Sequence, residues 1–222
     1  MFDDIILPPR CEHDEAVYHL GRLKERGVII GTDEAGRGSL AGSVVAAAVY
    51  MTQEQEDALT AMGLRDSKRM TPNVRERLFA AMNEAGVIWR AYMADNLRVD
   101  RDNVLNASLW AMGEAVSRVA GLTGSAGCVI VDGNKRLPGI DIPQWVLIRA
   151  DDLIPCVSAA SIAAKVIRDR LMVRLSERYP GYSLEKNKGY PTRPHIEAVG
   201  RLGLSEIHRE TFCRKFLRER GE

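Results

Sequence analysis

Two adjacent carboxylates near the start of the chain are the first residues that could do chemistry. Asp33 and Glu34 follow a short apolar run, Val28–Ile30, which predicts a buried strand. A Gly-Arg-Gly turn at residues 36–38 comes next, and residues 44–50 are again apolar and rich in β-branched side chains. Glycines in such a turn let backbone N–H groups approach a ligand closely. The stretch therefore places negative charge beside an open backbone turn.

Three interpretations of this stretch compete. It could be the acidic end of a β-hairpin with no chemical role. It could be a dinucleotide fingerprint, since Gly36, Gly38 and Ala41 fit G-x-G-x-x-A, but that fingerprint must open a helix and residues 44–50 predict a strand. It could also be a metal site, in which Asp33 and Glu34 hold Mg²⁺ or Mn²⁺ through oxygen ligands. The third interpretation needs further carboxylates from elsewhere in the chain.

Further carboxylates do follow predicted strands. Asp132 ends the apolar run at residues 128–131, and Asp151 and Asp152 come shortly after the run at residues 145–148. Carboxyl ends of strands in open α/β sheets are where ligands bind. Carboxylates gathered at one edge repel one another unless a divalent cation neutralises them. Such a cluster is typical of two-metal phosphoryl-transfer enzymes.

Composition limits the class of protein. The 222 residues suit a single domain or one domain with an appendage, and no apolar run approaches the roughly 18 residues of a membrane span. The acidic start of the chain does not resemble a signal peptide, and the four cysteines are widely separated, so we expect a reduced, cytoplasmic protein. Residues 1–164 carry 17 Lys and Arg against 22 Asp and Glu, whereas residues 165–222 carry 14 against 8. An acidic body with a basic C-terminal part suits a metal site beside a phosphate-binding surface.

Helical patterns alternate with the predicted strands, which indicates an α/β fold. Residues 11–26 and residues 71–86 predict helices, the second with a Thr cap and a first-turn Pro. The longest regular apolar stripe predicts a helix that is capped by Asp100 or Asp102 and ends at Gly121. Another long helix is predicted from Ser158 to Arg178, with small residues in its first turns.

A set of short motifs resembles, in family order, the signature blocks of the type 2 ribonucleases H, the family of bacterial ribonuclease HII. The blocks span about residues 28–212 and are Thr32–Gly38, Asp66-Ser67-Lys68, Val131–Asn134, Ser158–Lys165 and Lys188–Thr192. Each block is short, but the ordered set is specific.

The resemblance implies a ribonuclease H-like mixed five-stranded sheet flanked by helices in one catalytic domain, residues 1–222. A helical substrate-binding extension would occupy about residues 180–222. It also implies hydrolysis of the RNA strand of RNA–DNA hybrids and nicking 5′ to ribonucleotides embedded in duplex DNA, with 3′-hydroxyl and 5′-phosphate products. The implied cofactor is Mg²⁺ or Mn²⁺, and the implied catalytic metal ligands are Asp33, Glu34, Asp132 and Asp151.

The resemblance also implies the contacts with substrate. Gly36, Arg37 and Gly38 match the turn whose backbone reads the ribose 2′-hydroxyl, which distinguishes RNA from DNA. Tyr190 matches a tyrosine that packs on the sugar at the RNA–DNA junction. The candidate phosphate contacts are Lys68, Lys165 and Lys188.

This sequence departs from the family pattern at several positions. Ser39 replaces a usual proline, which we expect to loosen the turn, and Asn187 replaces a frequent histidine. Cys156 stands where a glutamate is common, and Asp151-Asp152 replaces Asp-Ser, so Asp152 competes for the fourth ligand position.

Two other functions remain open. A DNA-directed nuclease or integrase-like enzyme of the same fold would use the carboxylates without reading a 2′-hydroxyl group, and a catalytically weak protein would only bind hybrids. We expect a monomer. His195 and His208 are expected to cap helices or to contact phosphate.

Overall fold

The structure, a computed structural model, describes residues 8–64, 70–124 and 126–218. Within these ranges one mixed sheet has the strand order β3-β2-β1-β4-β5. Its strands are β1 Ile29–Ala35, β2 Val44–Tyr50, β3 Ile88–Ala94, β4 Cys128–Asp132 and β5 Gln144–Leu147. The helices before the fourth strand are α1 His13–Lys24, α2 Gln53–Ala61, α3 Pro72–Glu84, α4 Asn96–Asp102 and α5 Val104–Thr123. Those after the fifth strand are α6 Ala150–Leu153, α7 Pro155–Arg178, α8 Leu184–Asn187, α9 Arg193–Leu202 and α10 Glu210–Arg218.

The predicted fold class is confirmed. Strands β1, β2 and β3 form an antiparallel meander, while β4 pairs parallel to β1 and β5 pairs parallel to β4. The central strands are buried on both faces, as their continuous apolar runs predict. In the β1–β4 pair Thr32 lies opposite Val131, so the next residues along, Asp33 and Asp132, are neighbours at the carboxyl ends of two parallel strands.

Strand β1 is longer than the sequence predicts. We expected it to end before the acidic pair, but it runs through Ala35, and Asp33 and Glu34 lie inside it. The reason is the hairpin, because β2 continues to pair with β1 as far as Ala35 opposite Val45. The carboxylate of Asp33 is therefore held by a regular strand rather than by a loop.

Helix α7 packs directly on β1 through Gly31. A Cβ atom at this position would lie 2.5 Å from both the carbonyl carbon of Cys156 and the amide nitrogen of Val157. The buried first turns of α7 are rich in alanine and serine, which permits this close approach. The helix begins at Pro155, three residues before the predicted start, since proline is favoured in a first helical turn.

Helix α5 covers the opposite face of the sheet. The prediction that Asp100 or Asp102 caps it is wrong, because both residues belong to the separate helix α4. Asn103 caps α5 instead, accepting a 3.1 Å hydrogen bond from the amide of Asn106. The helix also continues past Gly121 to Thr123, and Gly124 closes it in a left-handed conformation with φ +76°.

The C-terminal region is helical, as predicted. Helices α8 and α9 form a small apolar cluster with the second half of α7, built on Met172, Tyr182, Leu184 and Val199. Ala41, from the connection between β1 and β2, belongs to the same cluster and forms a bridge with His208. The C-terminal helices are thus attached to the turn that follows the acidic strand. The assignment of residues 1–222 to one domain stays a prediction.

A substitution at Gly31 tests the contact between α7 and β1. We expect Gly31→Ala to lower the free energy of unfolding by about 1–3 kcal/mol or more, because backbone on both sides blocks the added methyl group. Gly21→Ala is the control, since a Cβ at this exposed position in α1 meets nothing within 4 Å. That variant should be neutral or stabilising by up to about 1 kcal/mol. Urea denaturation measures both, and equal stability of the two variants would contradict the close contact.

Candidate metal centre and substrate cleft

Three carboxylates converge at the carboxyl end of the sheet. Asp33, Asp132 and Asp151 each offer an oxygen atom, and these atoms all lie within 4.8 Å of one another. Asp33 and Asp132 reach this point from the neighbouring strands β1 and β4. Asp151 comes from α6, the one-turn helix after β5. The topology therefore gathers ligands that are 99 and 19 residues apart in sequence.

A left-handed residue sets the position of Asp151. Arg149 adopts φ +63° and ψ +36°, which turns the chain into α6. The amide of Ala150 then donates a 2.7 Å hydrogen bond to Oδ1 of Asp132. Asp151 is buried, with 3% of its surface exposed, whereas Asp152 turns outward and forms an ion pair with Arg149. The structure thus brings Asp151, and not Asp152, into the group of three.

Asp33 is almost completely buried, with 2% of its surface exposed. Its Oδ1 atom accepts a 2.7 Å hydrogen bond from the amide of Glu34, but its Oδ2 atom is buried and has no hydrogen-bond partner among the described residues. Burial, followed by the charges of Glu34 and Asp132, raises the pKa of Asp33 well above its ordinary value, while Ser161 opposes the shift. A buried, unpaired oxygen among carboxylates fits a divalent cation that takes oxygen ligands. The residues present therefore suit Mg²⁺ or Mn²⁺.

Glu34 lies beside this group rather than inside it. One of its carboxylate oxygens, Oε1, is 3.3 Å from Nη1 of Arg37, an ion pair within the turn. Its charge still contributes to the raised pKa of Asp33. Of the four predicted ligands, three converge in the structure and Glu34 lines the cleft next to them.

A cleft of about 300 Å³ opens over the carboxylates. It is lined by Asp33, Glu34, Ala35, Gly36, Arg37, Asp132, Ser161, Lys165 and Tyr190. Most of the predicted site residues are therefore neighbours. Lys188 instead lines an adjacent groove between α3 and α7, and Lys68 lies outside the described residues.

Lys165 and Tyr190 form one wall of the cleft. The Nζ atom of Lys165 donates a 2.8 Å hydrogen bond to Asp169 and lies 5.0 Å from the centroid of the Tyr190 ring. The guanidinium carbon of Arg168 is 5.1 Å from the same centroid. Both cations thus lie within cation–π distance of the ring.

The two glycines of the turn have different roles. Gly36 has φ +99°, and a Cβ there would lie 2.0 Å from Nε of Arg168. Gly38 has no such φ, and a Cβ there would meet nothing within 4 Å. The conformational requirement for glycine in this turn therefore falls on Gly36 and not on Gly38. Gly38 instead leaves open space beside the backbone.

The prediction that His195 and His208 cap helices or contact phosphate is wrong, because the two rings are buried against each other. His195 donates from Nδ1 to the carbonyl of Tyr190 at 2.9 Å, and the amide of Ser205 donates to Nδ1 of His208 at 3.0 Å. These bonds leave the Nε2–H of His208 to donate to Nε2 of His195, 3.2 Å away. Burial lowers both pKa values, that of His208 to about 4, so the pair is neutral at pH 7.

Sequence reasoning missed Ser161, Arg168 and Arg209. Ser161 was part of a quoted motif, but nothing in its type indicated that it faces Asp33. Arg168 and Arg209 are completely buried, although arginine is rarely buried. The sequence offered one indication that Arg168 is buried, namely that it follows an alanine-rich stretch of the helix. Arg209 gave none.

Two residues that depart from the family pattern, Asn187 and Cys156, fit their surroundings in the structure. Asn187 donates to the carbonyl of Tyr182 at 2.7 Å and accepts from the amide of Gly189 at 2.7 Å. Cys156 is buried in the apolar core, and burial raises the pKa of its thiol.

A mixed sheet with this strand order and an acidic cluster at its carboxyl edge define a protein of the ribonuclease H fold. Two solved structures support the fold. Ribonuclease H2 from Pyrococcus horikoshii OT3 is 24% identical, with a TM-score of 0.64 over 86% of this chain and 98% of that chain. Bst-RNase HIII in complex with Mn²⁺ is 22% identical, with a TM-score of 0.74 over 90% of this chain and 72% of that chain.

Sequence comparison gives the family. The model of the family Ribonuclease HII matches residues 30–215. Ribonuclease HII of Acaryochloris marina is 44% identical over 83% of this chain and 92% of its own length. Ribonuclease HII of Chlorobium luteolum is 41% identical over 87% of this chain and 91% of its own length. The chain belongs to the ribonuclease HII family, and the prediction of a type 2 ribonuclease H, a phosphodiester hydrolase, is confirmed. In the described part of the chain, no helix combines the length and apolar character needed to span a membrane.

The raised pKa of Asp33 predicts that the metal-free site destabilises the protein. Because the native state holds a proton on Asp33 more tightly than the unfolded chain does, stability falls as pH rises through the native pKa. Asp33→Asn removes this charge, and its amide can donate to a neighbouring carboxylate. We expect Tm in EDTA to rise by about 2–4 °C for each kcal/mol of repulsion relieved.

The control for this measurement is Asp141→Asn, which changes an exposed aspartate and should leave Tm unchanged. The gain from Asp33→Asn should be larger at pH 8 than at pH 5. A variant that is less stable than the unmodified protein at both pH values would contradict the crowded arrangement.

Proposed function

We propose that the protein is a divalent-metal-dependent endoribonuclease that hydrolyses the RNA strand of RNA–DNA hybrids and nicks 5′ to single ribonucleotides in duplex DNA. The observation that carries the proposal is the buried Oδ2 atom of Asp33, unpaired among the described residues, within the group of three carboxylates. Family membership and the adjoining Gly36–Gly38 turn support it.

Asp33, Asp132 and Asp151 would hold Mg²⁺ or Mn²⁺, with Glu34 contributing from the wall of the cleft. Such ions, when bound, supply an activated water molecule and stabilise charge on the phosphodiester. The Mn²⁺ complex of Bst-RNase HIII supports a metal of this class, and the identity of the ion stays a prediction. The expected products are a 3′-hydroxyl and a 5′-phosphate.

The protein's own residues would bind and orient the nucleic acid. Gly36 and Arg37 line the cleft, and the backbone of the turn at residues 36–38 would read the ribose 2′-hydroxyl, the group that separates RNA from DNA. The Tyr190 ring would stack on the sugar that follows. Lys165, Lys188 and Lys68 would contact phosphates, with Lys165 placed directly in the cleft.

The partner molecules follow from this chemistry. They are the RNA–DNA hybrid duplex and DNA with embedded ribonucleotides. The solved PCNA:RNase HII complex from Archaeoglobus fulgidus has a TM-score of 0.65 to this chain at 22% identity, over 87% of this chain and 97% of that one. That assembly belongs to the archaeal protein. A monomeric state and a cytoplasmic location stay predictions.

Substitution of the carboxylates tests the metal site. Replacing any one of the four predicted ligands by its amide should lower kcat by about a hundredfold or more, because losing even an outer partner of a metal ligand costs about 10–100-fold. The variants are Asp33→Asn, Glu34→Gln, Asp132→Asn and Asp151→Asn. Circular dichroism should show that each variant is folded. Mn²⁺ should raise the Tm of the unmodified protein and raise that of Asp132→Asn much less.

Asp152→Asn is the matched control for Asp151→Asn, because the two residues are adjacent and Asp152 pairs with Arg149. It should retain most activity. Loss of activity in Asp152→Asn with full activity in Asp151→Asn would show that the ligand assignment is wrong by one residue.

A duplex with one embedded ribonucleotide tests the substrate. We expect a single cut on the 5′ side of the ribonucleotide and no cut in the matched all-DNA duplex. Tyr190→Ala should lose most cleavage while keeping the rise in Tm with Mn²⁺, because the tyrosine is not a metal ligand. Tyr179→Phe, which loses a surface hydrogen bond to Glu206, is the control and should cut normally.

Comparable cutting of the all-DNA duplex would overturn the ribonuclease specificity and favour the DNA-directed nuclease. Tight hybrid binding without cleavage would favour the catalytically weak binding protein. Full activity of Tyr190→Ala would remove only the proposed role of its ring.

A further inference from the structure

Two completely buried arginines lie beneath the turn formed by residues 36–43. Arg168 comes from α7 and Arg209 precedes α10, and both have 0% of their surface exposed. Within the described residues, neither guanidinium group forms an ion pair with a carboxylate. Burying a charge is costly unless it is well hydrogen-bonded, so their partners indicate what these residues do.

Arg168 donates four hydrogen bonds, and three of them go to the turn. Its Nε binds the carbonyl of Ser43 at 3.0 Å, and its Nη2 binds the hydroxyl of Ser39 at 2.8 Å and the carbonyl of Ala41 at 3.3 Å. Its Nη1 binds the carbonyl of Lys188 at 2.9 Å. The same guanidinium therefore connects the turn to the segment that carries the Tyr190 ring.

Arg209 donates its side-chain hydrogen bonds to the same turn. Nε and Nη2 both bind the carbonyl of Gly42, at 3.0 and 2.8 Å, and Nη1 binds the carbonyl of Arg37 at 3.0 Å. Its backbone amide also donates to the carbonyl of Leu40 at 2.8 Å. Burial lowers the pKa of Arg209 only to about 9, so the side chain is charged at pH 7.

The contact with Arg37 has a direct geometric consequence. The carbonyl of Arg37 and the amide N–H of Gly38 belong to one planar trans peptide unit and point in opposite directions. Because Arg209 holds the carbonyl inward, the N–H of Gly38 is held outward. A Cβ at Gly38 would meet nothing within 4 Å, so a ligand can approach this backbone.

The glycines of this region fit closely against the same two elements. A Cβ at Gly36 would lie 2.0 Å from Nε of Arg168, and one at Gly189 would lie 2.5 Å from the carbonyl of Ala41. Ser39 is completely buried and donates its amide to the carbonyl of Gly36 at 3.3 Å. A proline could form neither this hydrogen bond nor the one from Arg168. Ser39 therefore adds two hydrogen bonds to the turn, and the prediction that it loosens the turn is wrong.

We propose that Arg168 and Arg209 are positioning residues for recognition of the 2′-hydroxyl: they hold carbonyl groups of the 36–43 turn inward and so fix the N–H group of Gly38 toward the ribose. This inference rests on the proposed function of that turn. Arginine suits the role because its planar fork binds several carbonyls at fixed angles, which a lysine cannot do.

The test compares Arg168→Lys and Arg209→Lys with Arg178→Lys, a control on α7 whose side chain is 72% exposed. Each variant is assayed on the duplex with one ribonucleotide. The first two should lower kcat by about tenfold to a hundredfold, since small misplacement of a positioning group costs that much. The control should match the unmodified protein, and all should keep the rise in Tm with Mn²⁺.

A second readout separates positioning from mere structural support. In an Asp132→Asn background that does not cleave, fluorescence anisotropy gives the ratio of affinities for the ribonucleotide duplex and the all-DNA duplex. Arg168→Lys and Arg209→Lys should bring this ratio toward one. A purely structural role would weaken binding to both duplexes equally and leave the ratio unchanged, which would overturn the proposal.

Ser39→Ala decides the case in which the lysine variants do not fold. It removes one acceptor of Arg168 and keeps the buried charge in place, and it should reduce the affinity ratio measurably. An unchanged ratio in this variant would overturn the proposal. If the unmodified protein fails to cut the ribonucleotide duplex, the proposed function itself is wrong, whereas normal cutting by both folded lysine variants refutes only the positioning role.

Discussion

The close contact between α7 and β1 is the constraint on which the site depends. Gly31 lets the helix backbone lie against the strand that carries Asp33. Along the helix, Ser161, Lys165 and Arg168 follow at intervals of four and three residues, so they share one face. This face presents a hydroxyl to the carboxylates, a lysine to the cleft and an arginine to the underside of the turn. A single helix placement therefore sets both the metal centre and the substrate-reading turn.

The site combines two electrostatic arrangements that each cost stability. The carboxylates are crowded, which raises the pKa of Asp33, and a cation would relieve the repulsion. The arginines are buried without carboxylate partners in the described part of the chain, but backbone carbonyls satisfy their donors. The first arrangement is completed by a ligand, whereas the second is complete in the protein alone. This difference fits their roles, because a metal site must accept an ion and a reading surface must already be rigid.

The sequence was sufficient to predict the features that depend on the order of apolar and charged residues along the chain. Apolar runs predicted the strands, and carboxylates after those runs predicted the acidic cluster, because parallel strands end at a common edge. The sequence was insufficient where the end of an element or the direction of a side chain depends on residues that only the fold brings close. The hairpin partner Val45 extends β1 past the acidic pair, and Asn103 caps α5 because Asp102 already belongs to another helix. Arg209 finds its partners about 170 residues earlier in the chain, so no local pattern could indicate its role.

Backbone conformation also explains why two nearby residues of the same type have different roles in the site. Asp151 and Asp152 are chemically identical, but the left-handed turn at Arg149 directs one into the cluster and the other to the surface. Gly36 and Gly38 are likewise identical, but only Gly36 has a positive φ and packs on Arg168. Gly38 is therefore free of a conformational demand, and its missing side chain leaves room on the ligand side. Within one short turn, one glycine satisfies the fold and the other leaves the backbone open for chemistry.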